Sequence, residues 1–137
     1  MAYQVLDISG DVGLRLRAES LEGLFQSALE GLFSLITERK AIEERKAVEV
    51  SAQGESTEGL LVALLNECIF QFDTYGFVAR RAELKELSEG RARAVLWGEE
   101  FDPGRHPRGL LVKAATYHNL DIRKTDGLWE AEVIFDI

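Results

Sequence analysis

Residues 129–137 read WEAEVIFDI, and this alternating stretch predicts a strand that packs one side against a hydrophobic core. The positions on that side of an extended chain are Trp129, Ala131, Val133, Phe135 and Ile137. If they face inward, Asp136 and the carboxylate of Ile137 are held together at the rim of a sheet. Fixed oxygens of this kind suit a hard cation or a cationic group of a partner.

Two further stretches show the three-and-four spacing of apolar residues that is typical of amphipathic helices. The first opens at Ser20, a residue type that favours helix N-caps, and runs to about Thr37. Thr57 is predicted to cap the second helix. Gly76 suits the left-handed position that ends it.

The other patterned segments predict strands, some of them joined by glycine-containing hairpin turns. A charged connector at 38–46 and a loop at 99–108 separate them. The order of elements predicts an α+β fold, in which two helices pack on one face of a largely antiparallel sheet. We expect residues 1–137 to form a single domain. The predicted strands cover 3–7, 12–17, 47–52, 77–86, 91–98, 110–117, 119–124 and 129–137.

Composition argues against several classes of function. The net charge of −8 disfavours direct nucleic-acid binding, which depends on Lys and Arg neutralising phosphates. No apolar run approaches the roughly 18 residues of a membrane-spanning helix, and the N-terminus lacks a signal-peptide pattern, so we expect a cytoplasmic protein. The one cysteine, Cys68, lies in an apolar helical run and is expected to be buried and unreactive.

The sequence also lacks the common catalytic motifs, including a nucleophile elbow, a phosphate-binding loop and a dinucleotide fingerprint. Its two histidines lie far apart, so a metal centre would depend on carboxylates. Oxygen-rich ligand sets of this kind suit calcium or magnesium. The acids predicted at turns and strand ends are Asp7, Asp11, Glu99, Glu100, Asp102 and Asp136.

These acids, and also Lys113 and His118, have ordinary structural explanations beside a functional one. Asp11, in the predicted turn at 9–11, could hydrogen-bond its own backbone. Lys113 is by default a surface lysine. His118 is more simply a hydrogen-bonded structural histidine than a metal ligand.

Four segments, in this order, resemble the archease family. They are LDISGDVGL at 6–14, GEEFD at 98–102 followed by RH at 105–106, VKAATYH at 112–118 and VIFDI at 133–137. Archeases are small accessory proteins of the RtcB-type tRNA-splicing ligase, which joins RNA ends using GTP and a divalent metal. The resemblance therefore implies a partner that promotes guanylylation and turnover of such a ligase and is not itself an enzyme.

The resemblance also implies a set of functional residues. Metal binding falls on Asp11, Asp136 and Ile137, with calcium as the expected ion and magnesium or manganese as alternatives. The functional lysine of the family falls on Lys113, which is expected to contact the partner or its nucleotide.

Asp7 and His118 are predicted to lie beside these ligands and to support them without binding the metal. The family usually has a histidine where this chain has Ile8. The metal-binding end of this chain is therefore expected to depend more on its carboxylates than that of other family members. Two other functions stay open: a small metal-dependent phosphohydrolase that uses the same acids, and a general chaperone or modulator of nucleic-acid-modifying enzymes.

Overall fold

Eight strands and two α-helices make up the part of the chain that the computed structural model describes, residues 2–8 and 10–137. The helices are α1 (Leu21–Ile36) and α2 (Thr57–Tyr75), and a short 3-10 helix covers Arg39–Ala41. The strands are β1 (Ala2–Ile8), β2 (Asp11–Ala18), β3 (Lys46–Gln53), β4 (Phe77–Ser88), β5 (Arg91–Glu100), β6 (Ala114–Ala115), β7 (Arg123–Thr125) and β8 (Leu128–Asp136).

The described strands form two antiparallel sheets. The first has the order β1-β2-β8-β6, with β7 also paired to β8, and the second has the order β3-β5-β4. The apolar stretch near the chain end is therefore an interior strand, with β2 on one side and β6 and β7 on the other. The predicted α+β class is confirmed. The strands are divided between two sheets, where the sequence predicts one.

Both helices contact both sheets: α2 contacts β6 of the first and β3, β4 and β5 of the second, and α1 contacts β1, β2 and β8 of the first and β4 of the second. Phe25 and Phe33 on α1 are fully buried. Glu30 is also buried, and it accepts a hydrogen bond from the main-chain N–H of Ala82 (3.0 Å) and lies 3.4 Å from Arg39. The buried carboxylate is thus paired, as burial of a charge requires.

Hydroxyl and glycine caps define the ends of the helices. Ser20 caps α1 as predicted, and its Oγ accepts a hydrogen bond of 3.0 Å from the first turn. The cap of α2 is Ser56, one residue before the predicted Thr57, which is already helical. Gly76 ends α2 in the left-handed conformation with φ 68°, as predicted. Neither helix in the described ranges is long and apolar enough to cross a membrane.

The strands predicted at 110–117 and 119–124 are much shorter in the structure. The N–H groups of Gly109 and Leu110 donate to carbonyl oxygens in the last turn of α1, each at 2.8 Å. Because these amides complete the helix end, they are not available to a strand ladder. Asn119, with φ 54°, then turns the chain, and within the described residues 109–125 only the short strands β6 and β7 pair with β8.

Gly98 provides a test of how closely β4 and β5 approach. A Cβ atom at Gly98 would lie 1.9 Å from the carbonyl oxygen of Val78, and strand backbone on both sides leaves little room for relaxation. We expect Gly98→Ala to lower the free energy of unfolding by about 3 kcal/mol, measured by urea denaturation. The control is Gly104→Ala, whose new Cβ would meet only a side-chain oxygen of Asp102 at 3.3 Å. Equal effects of the two substitutions would contradict this close approach.

Candidate functional site

Strands β2 and β8 bring two carboxylates together at one end of the first sheet. Asp11 and Asp136 are direct partners in the antiparallel register. Residues in such a position point to the same face, with Cβ atoms about 5 Å apart. Neither side chain forms an ion pair with any described residue. This acid pair, Asp11 and Asp136, therefore repels itself and would be stabilised by a cation.

The same two strands pair opposite charges farther along the same face. Arg15 lies opposite Glu132 at 3.0 Å, and Arg17 lies opposite Glu130 at 3.7 Å. Side chains two residues apart on a strand share a face, so these pairs and the acid pair belong to one surface. The like-charged pair at the sheet end thus departs from the charge complementarity of its own strands.

Apolar residues flank the acid pair within its row of the sheet, a row being the set of residues directly opposite one another. Ile8 pairs with Asp11 on one side, and Ala114 pairs with Asp136 on the other. The Cδ1 atom of Ile8 lies 3.3 Å from the point where a Cβ of Gly13 would be. Ile8 is thus placed beside the carboxylates and leans over the sheet.

Lys113 is attached to the acid pair through the main chain. Its N–H donates a hydrogen bond of 2.8 Å to the carbonyl oxygen of Asp136. The side chain of Lys113 is exposed and has no ion pair, hydrogen bond or aromatic contact with a described residue, whereas every other Lys and Arg has one. The ammonium group is therefore available to an anion from outside the chain.

The other sequence-predicted residues lie at several different positions relative to the acid pair. Asp7 pairs with Val12, one row away, so its side chain lies on the opposite face from the acid pair. His118 is exposed and lies beyond the end of β6. Ile137 directly follows β8 and is 39% exposed. Ser9, part of the predicted turn at 9–11, lies outside the described residues.

The acid pair offers a partial ligand set. Within residues 2–8 and 10–137, no three His, Cys, Asp or Glu side chains come close enough together to hold a metal ion. Two carboxylates fit the oxygen preference of calcium, magnesium or manganese. A further donor would have to be a main-chain oxygen, such as that of Ile137, or a group on a partner.

A second polar cluster lies at the end of β5, beside a cleft of about 530 Å³. Glu99, which is 4% exposed, accepts four hydrogen bonds there. Its Oε1 accepts from Arg45 Nε (3.0 Å) and Arg105 Nη2 (2.6 Å). Its Oε2 accepts from the N–H of Glu43 (2.8 Å) and from His106 Nε2 (2.9 Å).

The hydrogen bonds of His106 fix its tautomer. The N–H of Asp102 donates to Nδ1 at 2.7 Å, so Nε2 carries the proton that is donated to Glu99. Burial raises the pKa of Glu99, but hydrogen bonds from Arg105, the amide of Glu43 and His106 outweigh burial and hold that pKa at about 2. Glu99 is therefore a permanently charged anchor for the loop that follows β5.

This anchor was not assigned from the sequence. Glu99 and Glu100 were expected in the loop with Asp102, as candidate ligands, but both belong to β5. Glu100 pairs with Lys46 (3.5 Å), and Asp102 pairs with Arg105 (3.5 Å). The signal in the sequence was the DPG turn at 102–104, which folds the following Arg-His back onto the strand end.

Comparison with known proteins gives one consistent result. The family model described as the Archease protein family (MTH1598/TM1083) matches residues 3–137. The protein archease of Methanopyrus kandleri is 37% identical over 140 residues, covering 100% of both chains. The protein archease of Danio rerio is 34% identical, covering 98% of this chain and 85% of its own.

Solved structures agree with the sequence comparison. The solution structure of protein 1598 of Methanobacterium thermoautotrophicum has a TM-score of 0.79 and 28% identity, with 98% of each chain covered. An archease of Thermotoga maritima, described as a possible chaperone, has a TM-score of 0.68 at 19% identity, covering 100% of this chain and 98% of its own, and it shares the fold.

The acid pair is expected to destabilise the metal-free protein. Asp11→Asn should raise the free energy of unfolding by roughly 0.5 kcal/mol, because it removes like-charge repulsion between directly opposite residues. The measurement is urea denaturation at low salt with a chelator, and the gain should shrink at high salt. The control is Asp126→Asn in the β7–β8 turn, where φ 52° suits Asn. A stability no higher than that of the control would contradict the repulsion.

Glu99 is expected to make stability depend on acid pH. Its pKa is lowered on folding, so its contribution is complete above pH 4.5 and is lost as the pH falls towards about 2. Glu99→Gln should cost about 3 kcal/mol at neutral pH, because it leaves two arginines without their buried partner. Its stability should also fall less than the parent's over that pH range. Parallel pH profiles would contradict this role, and Glu100→Gln is the control.

Proposed function

The chain belongs to the archease family, and we propose that it acts as an accessory protein of an RtcB-type tRNA-splicing ligase. In this proposal it promotes the GTP-dependent guanylylation of the ligase and its turnover, and it does not join RNA ends itself. The observation that carries the proposal is the direct pairing of Asp11 with Asp136, with Lys113 attached to the same strand end.

Charge would guide the encounter between the two proteins. We name as the acid tip the acid pair together with the oxygens of Ile137 and the side chain of Lys113. A ligase site that contains metal ions and basic groups complements the carboxylates of the acid tip, which favours fast and oriented association. The net charge of −8 adds a long-range attraction to a basic partner surface and disfavours direct RNA binding.

The incomplete ligand set suits a site that is shared between two proteins. Asp11 and Asp136 would hold a divalent ion from one side, with the main-chain oxygen of Ile137 as a further donor. Such an ion supplies positive charge that stabilises phosphate oxygens. The remaining ligand positions would then be filled by the ligase, its nucleotide or water.

Lys113 provides the other polar contact in this proposal. Its backbone is fixed by the bond to the Asp136 carbonyl, while its side chain has no described partner. Lysine binds phosphates as a compact positive charge. We propose that Lys113 contacts the nucleotide phosphates, or a ligase carboxylate, when the acid tip is docked.

Ligase guanylylation provides the test. We expect Asp11→Asn, Asp136→Asn and Lys113→Met each to reduce stimulation by roughly tenfold or more, because each removes a charge from the docked site. The measurement is the rate at which labelled GMP becomes bound to the ligase with equal amounts of each variant. The control is Asp126→Asn, which removes the same charge beyond the opposite end of β8.

Full stimulation by both aspartate variants would show that the acid tip is not the active part. The phosphohydrolase alternative is tested with the isolated protein, divalent metal and a panel of phosphoesters, for which an accessory protein gives no turnover. If every variant stimulates ligase guanylylation as strongly as the parent protein, and the isolated protein hydrolyses no phosphoester, a general chaperone is favoured.

A further inference from the structure

Strand β1 leaves one edge of the first sheet open. It lies at the end of the sheet order, and β2 and α1 are the only described elements in contact with it. All of its residues pair with β2 in one unbroken register, so its other main-chain edge is regular. Such an edge presents a row of N–H and C=O groups to which a further strand can bind.

Strand β4, at an edge of the second sheet, is protected against such pairing. The amides of Ala82 and Leu84 donate to side-chain oxygens of α1, each at 3.0 Å, and Arg39 Nε donates to the carbonyl oxygen of Arg80 at 2.9 Å. Two register shifts also interrupt the ladder between β4 and β5. Strand β1, in contrast, has an unbroken register and carries no lysine, arginine or proline, the residues that commonly block an edge.

The side chains of β1 are complementary to a second copy of the same strand. When two antiparallel copies are related by a two-fold axis at Val5, each Val5 lies opposite the other, and Tyr3 lies opposite Asp7. Val5 is 50% exposed, so this pairing covers an apolar side chain. No like charges are brought directly opposite each other, since Asp7 is the only charged residue of β1.

Asp7 gains a cation in this arrangement. Its side chain is exposed and has no ion pair with a described residue. Within one copy, Arg39 Nη1 donates a hydrogen bond of 3.3 Å to the hydroxyl of Tyr3. Tyr3 and Asp7 are on the same face of the strand, so the pairing brings the carboxylate of one copy towards the guanidinium of the other. The unpaired acid of β1 thus favours a second copy over an unrelated strand.

We propose that two copies of this chain associate through their β1 strands, in antiparallel register about Val5, and so join two five-stranded sheets into one. The two acid tips then lie at opposite ends of the joined sheet, because the axis reverses one copy relative to the other. A pair of short strands is smaller than a standard interface of roughly 800 Å² per partner, so association is weak and depends on concentration. The net charge of −8 on each copy adds a repulsion that salt screens.

Sedimentation equilibrium of the full chain is the experiment. We expect the average mass to rise towards twice that of one chain between about 1 and 500 µM protein, and more steeply at high salt. Val5→Lys and Val5→Glu each place like charges about 5 Å apart at the axis, so each variant alone should stay monomeric. An equimolar mixture of the two variants should form a heterodimer, because opposite charges then meet.

Leu111→Lys is the matched control. Leu111 is 68% exposed and precedes β6, on the other side of the sheet from β1, so this variant should dimerise as the parent does. If a Val5 variant fails to fold, hydrogen exchange of the parent decides: amides of β1 should exchange more slowly as the protein is concentrated, and those of β3 should not. A parent that stays monomeric throughout, folded Val5 variants that dimerise like the parent, or a mixture without heterodimer would overturn the proposal.

Discussion

The antiparallel register between β2 and β8 is the constraint on which the rest of the structure depends. It pairs Val12 with Phe135 and Leu14 with Val133, and all four side chains are buried against the core. The alternation of faces then leaves Asp11 and Asp136 together on the other side. A shift of one residue would expose the apolar set and separate the carboxylates, so the energy of core burial also fixes the site.

Charged side chains differ in whether they have a partner of opposite charge within the described chain. Most are engaged in pairs that hold the fold, as Glu99 does with Arg45 and Arg105 or Glu30 with Arg39. The acid pair and Lys113 lie outside these pairings among the described residues, as do some isolated surface acids such as Asp7 and Asp126, but only in the acid pair are two such carboxylates direct cross-strand partners. Directly opposite like charges reduce the free energy of unfolding, so the acid pair does not help the protein to fold. Its position at the end of the sheet is better explained by a role in binding.

Local patterns in the sequence were sufficient for the helices, the strand near the chain end and the α+β class. Ser20, Gly76 and the alternation in residues 129–137 act over a few neighbours, and such signals can be read directly. Long-range pairing was less accessible. The division into two sheets depends on pairing between segments that are far apart in the sequence, and the strand expected from residue 110 is shortened because its first amide completes the end of α1.

The candidate functional site was predictable from the sequence to about the same extent as the fold. Asp11, Asp136 and Lys113 were named from the resemblance of their segments, but nothing local indicates that the two acids are direct partners. Asp7 illustrates the limit, since its distance from Asp11 in sequence gives no warning that the intervening turn places it on the opposite face. The role of Glu99 was missed because two of its four donors come from residues 43–45, which are more than fifty residues away in the sequence.

The segment that ends α1 has one further consequence. Leu110 completes the helix end through its amide, and three residues later the amide of Lys113 bonds to the end of β8. This short strap therefore joins a helix end to the sheet end, and fraying at either attachment loosens the other. The last turn of α1 and the backbone of Lys113 are best regarded as one unit that opens cooperatively. The stability of this unit limits how well the position of Lys113 is fixed.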